Sequence, residues 1–382
     1  MNTAALRGWL AAEIAAHGPM PVERYMRECL MHEQFGYYRT QQAIGAMGDF
    51  ITAPEISQVF GELIGIWAAA AWAGLGQPQR WRLVELGPGR GTLMADALRA
   101  LGVLPAARAG LEVVLVESNE VLVAEQRAKL AGCGVPVMWI AAPGSLAGLP
   151  PQPTVLIANE FLDALPIRQF VFTSGDWHER CVGLARPLAA GLDEEVAETA
   201  ILRFAARLEL GAGDREPPAT PAQQSTAIAP PPPDGAICEV MAGAVALIED
   251  LAKSAPAYLL FIDYGHEGPV FGDTLQAVTA HHFADPLAEP GNADLSAQVD
   301  FAQVGDAAIA AGFVAFGLIT QAEFLGRLGA AERLERLCRG KPAATVQALQ
   351  SGLGRLMQPA GMGGRFKALA LASKGLAAPP AF

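Results

Sequence analysis

The most constraining stretch of this sequence is residues 81–117, where the apolar run WRLVEL (81–86) breaks into Gly87-Pro88-Gly89-Arg90-Gly91 and then into a helical pattern ending near Leu101. A second apolar run, LEVVLV (111–116), stops at Glu117, twenty-six residues beyond Gly91 (117 − 91 = 26). Strand, glycine turn, helix, strand and terminal acid form one βαβ unit, whose two strands must lie parallel with the helix crossing over them. Glycines in such a turn let backbone N–H groups at a helix N-terminus approach a ligand, and an acid ending the next strand can accept hydrogen bonds from both hydroxyls of a ribose.

The alternation continues with VPVMWI (135–140) and TVLIA (154–158). Runs apolar on both faces, separated by crossover helices, predict a parallel α/β sheet. IRQFVF, a hairpin around Trp177, a helix from Glu239 to Lys253, AYLLFIDYG, TLQAVTAHHF and FVAFGLIT are expected to carry the sheet onward. They are interrupted by residues 211–235, rich in Pro, Ala, Gln and Thr and ending in four prolines at 230–233, which read as a flexible surface loop. Upstream, residues 3–32 read as two amphipathic helices broken at Gly18-Pro19. Thr52-Ala53-Pro54-Glu55 has the spacing of a capping box, after which Ile56, Val59, Phe60, Leu63, Trp67 and Ala70 keep helical period. The C-terminal third is predicted helical through Leu325, Leu328, Leu334 and Leu337 and closes on PAGMGGRFK. The expected organisation is a helical cap and lid over 1–80, an α/β domain over 81–205 and 236–382, and a proline-rich loop over 206–235.

Composition narrows the function classes. The 382 residues carry 27 Lys+Arg against 39 Asp+Glu, a net charge of −12, with 52% hydrophobic residues. That length and hydrophobic content support a large buried core, and the acidic balance repels nucleic-acid backbones and anionic lipid. The five cysteines (29, 133, 181, 238 and 338) are never closer than 48 positions (181 − 133 = 48), so no zinc or CxxC pattern can be drawn from them. The apolar run 63–76 is too short to span a bilayer. Arg7 is the one Arg or Lys in the first twenty residues and Glu13 lies among them, which argues against a mitochondrial presequence. A cytoplasmic location is expected.

The identity of the nucleoside turns on charge. The third glycine falls at GxGxG rather than GxGxxG spacing, and Glu85 places a carboxylate beside the loop mouth. A pyrophosphate would be repelled there, whereas the ammonium and sulfonium of S-adenosylmethionine would be attracted. Adenosylmethionine is therefore the first reading and NAD the second. At the end of TVLIA, Asn159 and Glu160 should face the crevice at the strand ends, and Glu160 and Asp163 share a face if the segment turns helically. Two acids there suit a guanidinium acceptor. Asp263, ending AYLLFIDYG, can reach the same crevice, whereas Glu239 at the start of a helix can serve the helix dipole instead. His281 and His282 would point to opposite faces of a strand, so no metal site is assigned.

Six blocks, GDFITAPEISQVFGELIG (48–65), LVELGPGRGTLM (83–94), IANEFLDALPIRQFVF (157–172), FIDYG (261–265), PGNADLSAQVDF (290–301) and PAGMGGRFK (359–367), together resemble the MidA family of S-adenosylmethionine-dependent methyltransferases, whose mitochondrial members are complex I assembly factors. The resemblance implies a Rossmann-like seven-stranded methyltransferase sheet with N-terminal and inserted helices, and dimethylation of an arginine in the quinone-site core subunit of respiratory complex I. It implies Glu85, Gly87, Gly89 and Gly91 as the cofactor loop, Glu117 as the ribose ligand, and Asp49, Phe50 and Thr52 as lid residues. Glu160 is the expected catalytic carboxylate, assisted by Asp163 or Asp263. A noncatalytic assembly protein that keeps the nucleoside pocket is the competing class.

Overall fold

A computed structural model describes residues 2–40, 51–185, 201–206, 232–253, 257–268, 270–279 and 281–382. The chain forms two compact units, Met1–Ala43, Ala164–Ala244 and His266–Gln303 in one, and Ile44–Asp163, Val245–Gly265 and Val304–Phe382 in the other. The boundaries expected from sequence at residue 80 and around 206–235 do not coincide with these. Residues 51–80 belong with the glycine-loop sheet, and most of the proline-rich segment lies outside the described residues.

The second unit is built on seven strands: β1 (Trp81–Leu86), β2 (Leu111–Val116), β3 (Val137–Ile140), β4 (Thr154–Asn159), β5 (Ala257–His266), β6 (Phe313–Thr320) and β7 (Phe366–Ser373). Their spatial order is β6-β7-β5-β4-β1-β2-β3. The first five pair in parallel and β7 runs antiparallel between β5 and β6. β1 and β4 are buried at every position, as strands covered on both faces must be. The strand order reverses between β1 and β4. That is the point where an open α/β sheet leaves a crevice at the carboxyl ends of its strands.

The expected capped helix is split. Helix α1 (Ala53–Ile56) is a single turn that stops at Ser57, and α2 (Gln58–Gly74) starts afresh with the Ser57 hydroxyl accepting the Val59 N–H at 3.3 Å. Thr52 precedes α1 without a side-chain cap bond, so the capping box does not form. Helix α2 packs on α3 (Thr92–Leu101) through small residues: a Cβ on Gly61 would lie 2.6 Å from that of Asp96, and one on Gly65 would lie 2.5 Å from the Ala97 carbonyl. Only glycine permits this approach, which brings α2 onto the helix that follows the glycine loop.

The C-terminal helices α5 (Gln321–Arg327), α6 (Ala330–Cys338) and α7 (Ala343–Met357) lead through α8 (Met362–Arg365) into β7. Glu62 on α2 is fully buried and accepts hydrogen bonds from Arg333 on α6 at 2.7 Å, Gln58 at 2.9 Å and Arg99 on α3 at 3.3 Å. A buried carboxylate tolerates loss of water only when so paired, and here one side chain ties three helices together.

The other unit holds separate antiparallel sheets. The IRQFVF hairpin, Arg168–Thr173 with Asp176–Leu184, pairs with Ile237–Val240, and Trp177 packs on Phe172 and Phe271 at 5.3 and 5.9 Å. Gln276–Thr279 pairs with His282–Ala284 and Asp294–Ser296 in a three-stranded sheet. These runs were expected to extend the main sheet. Short local turns instead let them close on one another. Glu239 likewise lies on the strand Ile237–Val240 rather than at a helix start, since the helix begins at Ala242. Its carboxylate accepts from Gln169 at 2.7 Å and from the Thr274 N–H at 3.0 Å, so the helix-dipole role is withdrawn.

Burial raises the Glu62 carboxyl, but hydrogen bonds from Arg333, Gln58 and Arg99 outweigh it and hold the group below its ordinary value. A depressed folded-state value contributes stability that is present above the unfolded value near 4.3 and is lost as pH falls through the folded one. Glu62→Ala is expected to lower unfolding stability at neutral pH by about 1.5–3 kcal/mol, discounted to one charge-assisted bond because Arg99 and Arg333 retain contact with water. Denaturant midpoints should differ at neutral pH and converge in acid; equal midpoints at neutral pH would remove Glu62 as the tie.

Candidate active site

The carboxyl ends of β1, β2, β4 and β5 carry the predicted residues of the crevice. Gly87, Gly89 and Gly91 all adopt positive φ (62°, 51° and 75°), a conformation that strains any other L-residue. Gly91 is the N-cap of α3. A Cβ on Gly87 would lie 2.8 Å from the Phe161 ring, so the loop fits closely under the turn that follows β4.

Glu117 directly follows β2, and its Oε1 accepts the Asn119 N–H at 2.8 Å. Gln126, on helix α4 (Glu120–Leu130), was not singled out from sequence, yet it joins the elements of this end of the crevice. Fully buried, its amide donates to the Gly89 carbonyl at 2.6 Å and to Glu117 Oε2 at 3.4 Å, while its oxygen accepts from Trp139 of β3 at 2.8 Å. Its only sequence signal was a polar residue on the inward face of a helix. Glu55 was also missed: it accepts from the Thr92 hydroxyl at the start of α3 and lies 3.8 Å from Arg90.

At the end of β4 the backbone departs from the strand. Glu160 has φ of 52°, and its N–H still donates to the Ile262 carbonyl of β5 at 2.8 Å. The next three N–H groups, of Phe161, Leu162 and Asp163, converge on Asp263 Oδ2 at 3.1, 2.9 and 3.2 Å, and Asp263 Oδ1 accepts from Tyr264 at 2.9 Å. Asp263 is therefore occupied by backbone, and its role is to hold the turn. Glu160 Oε1 accepts from the Ala53 N–H of α1 at 3.0 Å and from the Asn159 amide at 3.1 Å, and Oε2 has no hydrogen-bond partner among the described residues. A non-glycine residue at positive φ is sustained only where its surroundings over-determine it, and such residues concentrate at functional sites.

Thr52 stands beside this group: its carbonyl accepts the Glu55 and Ile56 N–H groups, and Ala53 next to it contacts Glu160. Asp49 and Phe50 lie outside the described residues.

The carboxyls of this crevice are displaced upward. Burial pushes Glu85 up to about 8. Burial, with the neighbouring Asp163 charge, pushes Glu160 up to about 7 against the opposing Ala53 N–H, Asn159 amide and Arg355. Burial and the charges of Asp163 and Glu160 raise Asp263 well above the usual range, while the N–H groups of Asp163 and Tyr264 pull it back. Glu85 Oε2 and Asn159 Oδ1 are buried acceptors without a partner among the described residues. Two unsatisfied oxygens beside a glycine cradle are a cost unless a donor comes from outside the chain. A cationic nucleoside bearing an ammonium fits them, whereas a pyrophosphate would not.

Comparisons with known proteins agree. A family model described as an S-adenosyl-L-methionine-dependent methyltransferase matches residues 63–319. The chain belongs to this family. Its cofactor is S-adenosyl-L-methionine and it is a methyltransferase, which sets aside the NAD reading. The chain is 34% identical over 387 residues to the Drosophila melanogaster protein named protein arginine methyltransferase NDUFAF7 homolog, mitochondrial, covering 95% of this chain and 83% of that one. The Homo sapiens protein arginine methyltransferase NDUFAF7, mitochondrial, is 34% identical over 394 residues, with 95% and 82% covered. A COG1565 superfamily member from Burkholderia thailandensis, solved bound to S-adenosyl-homocysteine, superposes with a TM-score of 0.81 at 28% identity, covering all of this chain and 95% of that one. The relatives' mitochondrial names overturn the cytoplasmic expectation, which rested on the scattered cysteines, the short apolar run and the charge of the first twenty residues. Among the described residues, no helix is long and apolar enough to cross a membrane.

Two outcomes test the site. Gly87→Ala sets a Cβ against Phe161 and strains φ, so calorimetry should show S-adenosylmethionine affinity at least about tenfold lower, equivalent to about 1.4 kcal/mol; unchanged affinity would separate the loop from the cofactor. A cation binds the ionised form of Glu85, so affinity should rise between about pH 6 and pH 8 as this group loses its proton, by at most about tenfold per unit. Glu85→Gln should flatten that rise, and a slope that survives the substitution would assign it to another group.

Proposed function

We propose that this chain transfers methyl groups from S-adenosyl-L-methionine to guanidinium nitrogens of an arginine in a protein substrate, the quinone-site core subunit of respiratory complex I, during assembly of that complex. The observation that carries the reading is Glu160, a half-buried carboxylate at positive φ whose Oε1 is fixed by protein donors and whose Oε2 has none among the described residues. The naming of the relatives as protein arginine methyltransferases supports the acceptor, and the MidA-like blocks support the complex I subunit.

Glu85, Asn159 and the turn of Gly87, Gly89 and Gly91 hold the amino-acid end of the cofactor. Glu117, steadied by Gln126, holds the ribose, and Thr52 lies over it. When bound, S-adenosylmethionine supplies an electrophilic methyl group on a sulfonium. Glu160 then aligns the acceptor: a guanidinium stays protonated far above neutral pH and its lone pairs are delocalised, so a carboxylate must localise its charge on the nitrogens away from the methyl and accept proton density as the new bond forms. Asp163 gives a second anionic contact three residues on. Asp263 acts through the turn it clamps, not on the substrate.

Because burial raises Glu160 to about 7 and the carboxylate is the working form, methyl transfer should fall about tenfold per unit as pH drops below about 7. Glu160→Gln should reduce transfer at least about a hundredfold while cofactor affinity changes little. The decisive assay incubates the full chain with labelled S-adenosylmethionine and the complex I subunit and locates label by mass spectrometry. Cofactor that binds without transfer to arginine would favour an assembly protein that keeps the pocket without the chemistry.

A further inference from the structure

Glu55 belongs neither to the glycine turn nor to the acids at the strand ends, yet its short helix touches both. Helix α1 is a single turn, closed by the Glu55 and Ile56 N–H groups donating to the Thr52 carbonyl at 3.0 and 3.2 Å and by the Ser57 N–H donating to the Ala53 carbonyl at 3.3 Å. A turn this short has little stability of its own, because so few hydrogen bonds do not offset the ordering of its backbone. It is held by what it touches. At its start the Ala53 N–H donates to Glu160 Oε1 at 3.0 Å. Further on, the Glu55 carboxylate, 19% exposed, accepts from the Thr92 hydroxyl through Oε1 and lies 3.8 Å from Arg90 through Oε2. Arg90 and Thr92 flank Gly91, the last residue of the glycine turn, so Glu55 contacts that turn on both sides of its left-handed residue. Lys129 on α4 donates to the same Thr92 hydroxyl and stands 4.0 Å from Glu55, which leaves the hydroxyl proton committed to the carboxylate. Arg90 is shared with Glu125 at 3.1 Å. One side chain of α1 is thus its hold on the cofactor turn, and one N–H of α1 is its hold on Glu160.

We propose that Glu55 is a positioning residue of the methyl-transfer site: it docks α1 on the glycine turn and so fixes the Ala53 N–H against Glu160. The proposal rests on Glu160 being the acceptor-binding carboxylate. Glu55 acts on Glu160 through the helical turn that also carries Ala53. A backbone N–H aimed at one carboxylate oxygen both orients the group and stabilises its charged form. Loss of the dock releases α1, withdraws that N–H and leaves Glu160 harder to ionise and free to rotate. The other groups that act on Glu160 lie outside α1 and stay in place when Glu55 changes: Asp163 and Asp263 as like charges, Arg355 as an opposite one, and the Asn159 amide as a donor. Glu85 on β1 adds a further acid to the crevice and is likewise unaltered. The glycine turn keeps its own supports, with Gln126 donating to the Gly89 carbonyl at 2.6 Å and Phe161 close against Gly87. A change at Glu55 is therefore felt at Glu160 more than at the cofactor.

The test compares the full chain with Glu55→Ala, Glu55→Gln and Thr92→Val. Glutamine keeps an oxygen for the Thr92 hydroxyl, whereas alanine removes the acceptor and valine the donor. Carboxyl NMR titration of Glu160 in protein carrying carbon-13 glutamate, assigned by the resonance missing in Glu160→Gln, should move up by about one pH unit in Glu55→Ala and Thr92→Val, as for a carboxylate that loses a backbone donor. In Glu55→Gln it should stay at the wild-type position. Removing an acid would by charge alone ease the ionisation of Glu160, so an upward shift reports the lost N–H and not the lost charge. The kcat should fall several-fold near pH 7 in Glu55→Ala and Thr92→Val, recover at higher pH, and match wild type in Glu55→Gln, with cofactor affinity changing less than kcat. Should Glu55→Ala not fold, Thr92→Val carries the same test. An unshifted or lowered Glu160 titration in either variant that breaks the contact overturns the proposal whatever the activity does. A raised titration with no methyl transfer by any form, wild type included, would instead overturn the assigned function and leave the positioning of Glu160 standing.

Discussion

The arrangement depends on one carboxylate used as a backbone clamp. Asp263, buried at the end of β5, gathers the N–H groups of Phe161, Leu162 and Asp163 and so forces the chain to turn sharply as β4 ends. Glu160 is left at the apex in a left-handed conformation that it would not adopt unaided, and Phe161 is driven against Gly87. One side chain on a neighbouring strand thereby couples the position of Glu160 to the glycine turn after β1. These three N–H bonds and the one from Tyr264 exclude Asp263 from direct work on a ligand, because its oxygens are already engaged.

Around that clamp the crevice is built from charge withheld from water. Several carboxyls converge where parallel strands end, and burial makes each reluctant to ionise. A cationic cofactor and a cationic acceptor both relieve this, so binding and ionisation favour each other. The unpartnered oxygens of Glu85 and Asn159 are the visible sign of that incompleteness. Rigidity comes from outside the crevice: Gly61 and Gly65 bring α2 onto α3, and Glu62 ties both to the C-terminal helices. The acids can therefore remain unsatisfied without the surrounding frame adapting to cover them.

The βαβ unit around GPGRG and the terminal Glu117 were legible in the sequence because local steric rules govern them: positive φ at glycine, parallel strands joined by a helix, an acid one strand over. The distinction between Glu160 and Asp263 was not. Both end an apolar run, and only the three-dimensional convergence of N–H groups shows one to be a clamp. Gln126 was missed for a similar reason, since its partners Gly89 and Trp139 lie on other elements. The hairpins at Arg168–Leu184 and Gln276–Ala284 look like sheet strands by periodicity, which reports burial on a face but not the partner that covers it. The capping-box spacing at Thr52 failed because the Glu55 N–H that the Thr52 hydroxyl would cap donates to the Thr52 carbonyl, and the Glu55 carboxylate that would reach back is engaged by the Thr92 hydroxyl.

The most direct measurement of the central claim is a crystal structure of the full chain with S-adenosyl-homocysteine. The ligand amino group should lie at the Glu85 and Asn159 oxygens and the ribose hydroxyls at Glu117, with the Asp263 clamp unchanged. A ligand bound away from the ends of β1 and β2, or a turn after β4 released from Asp263, would contradict it.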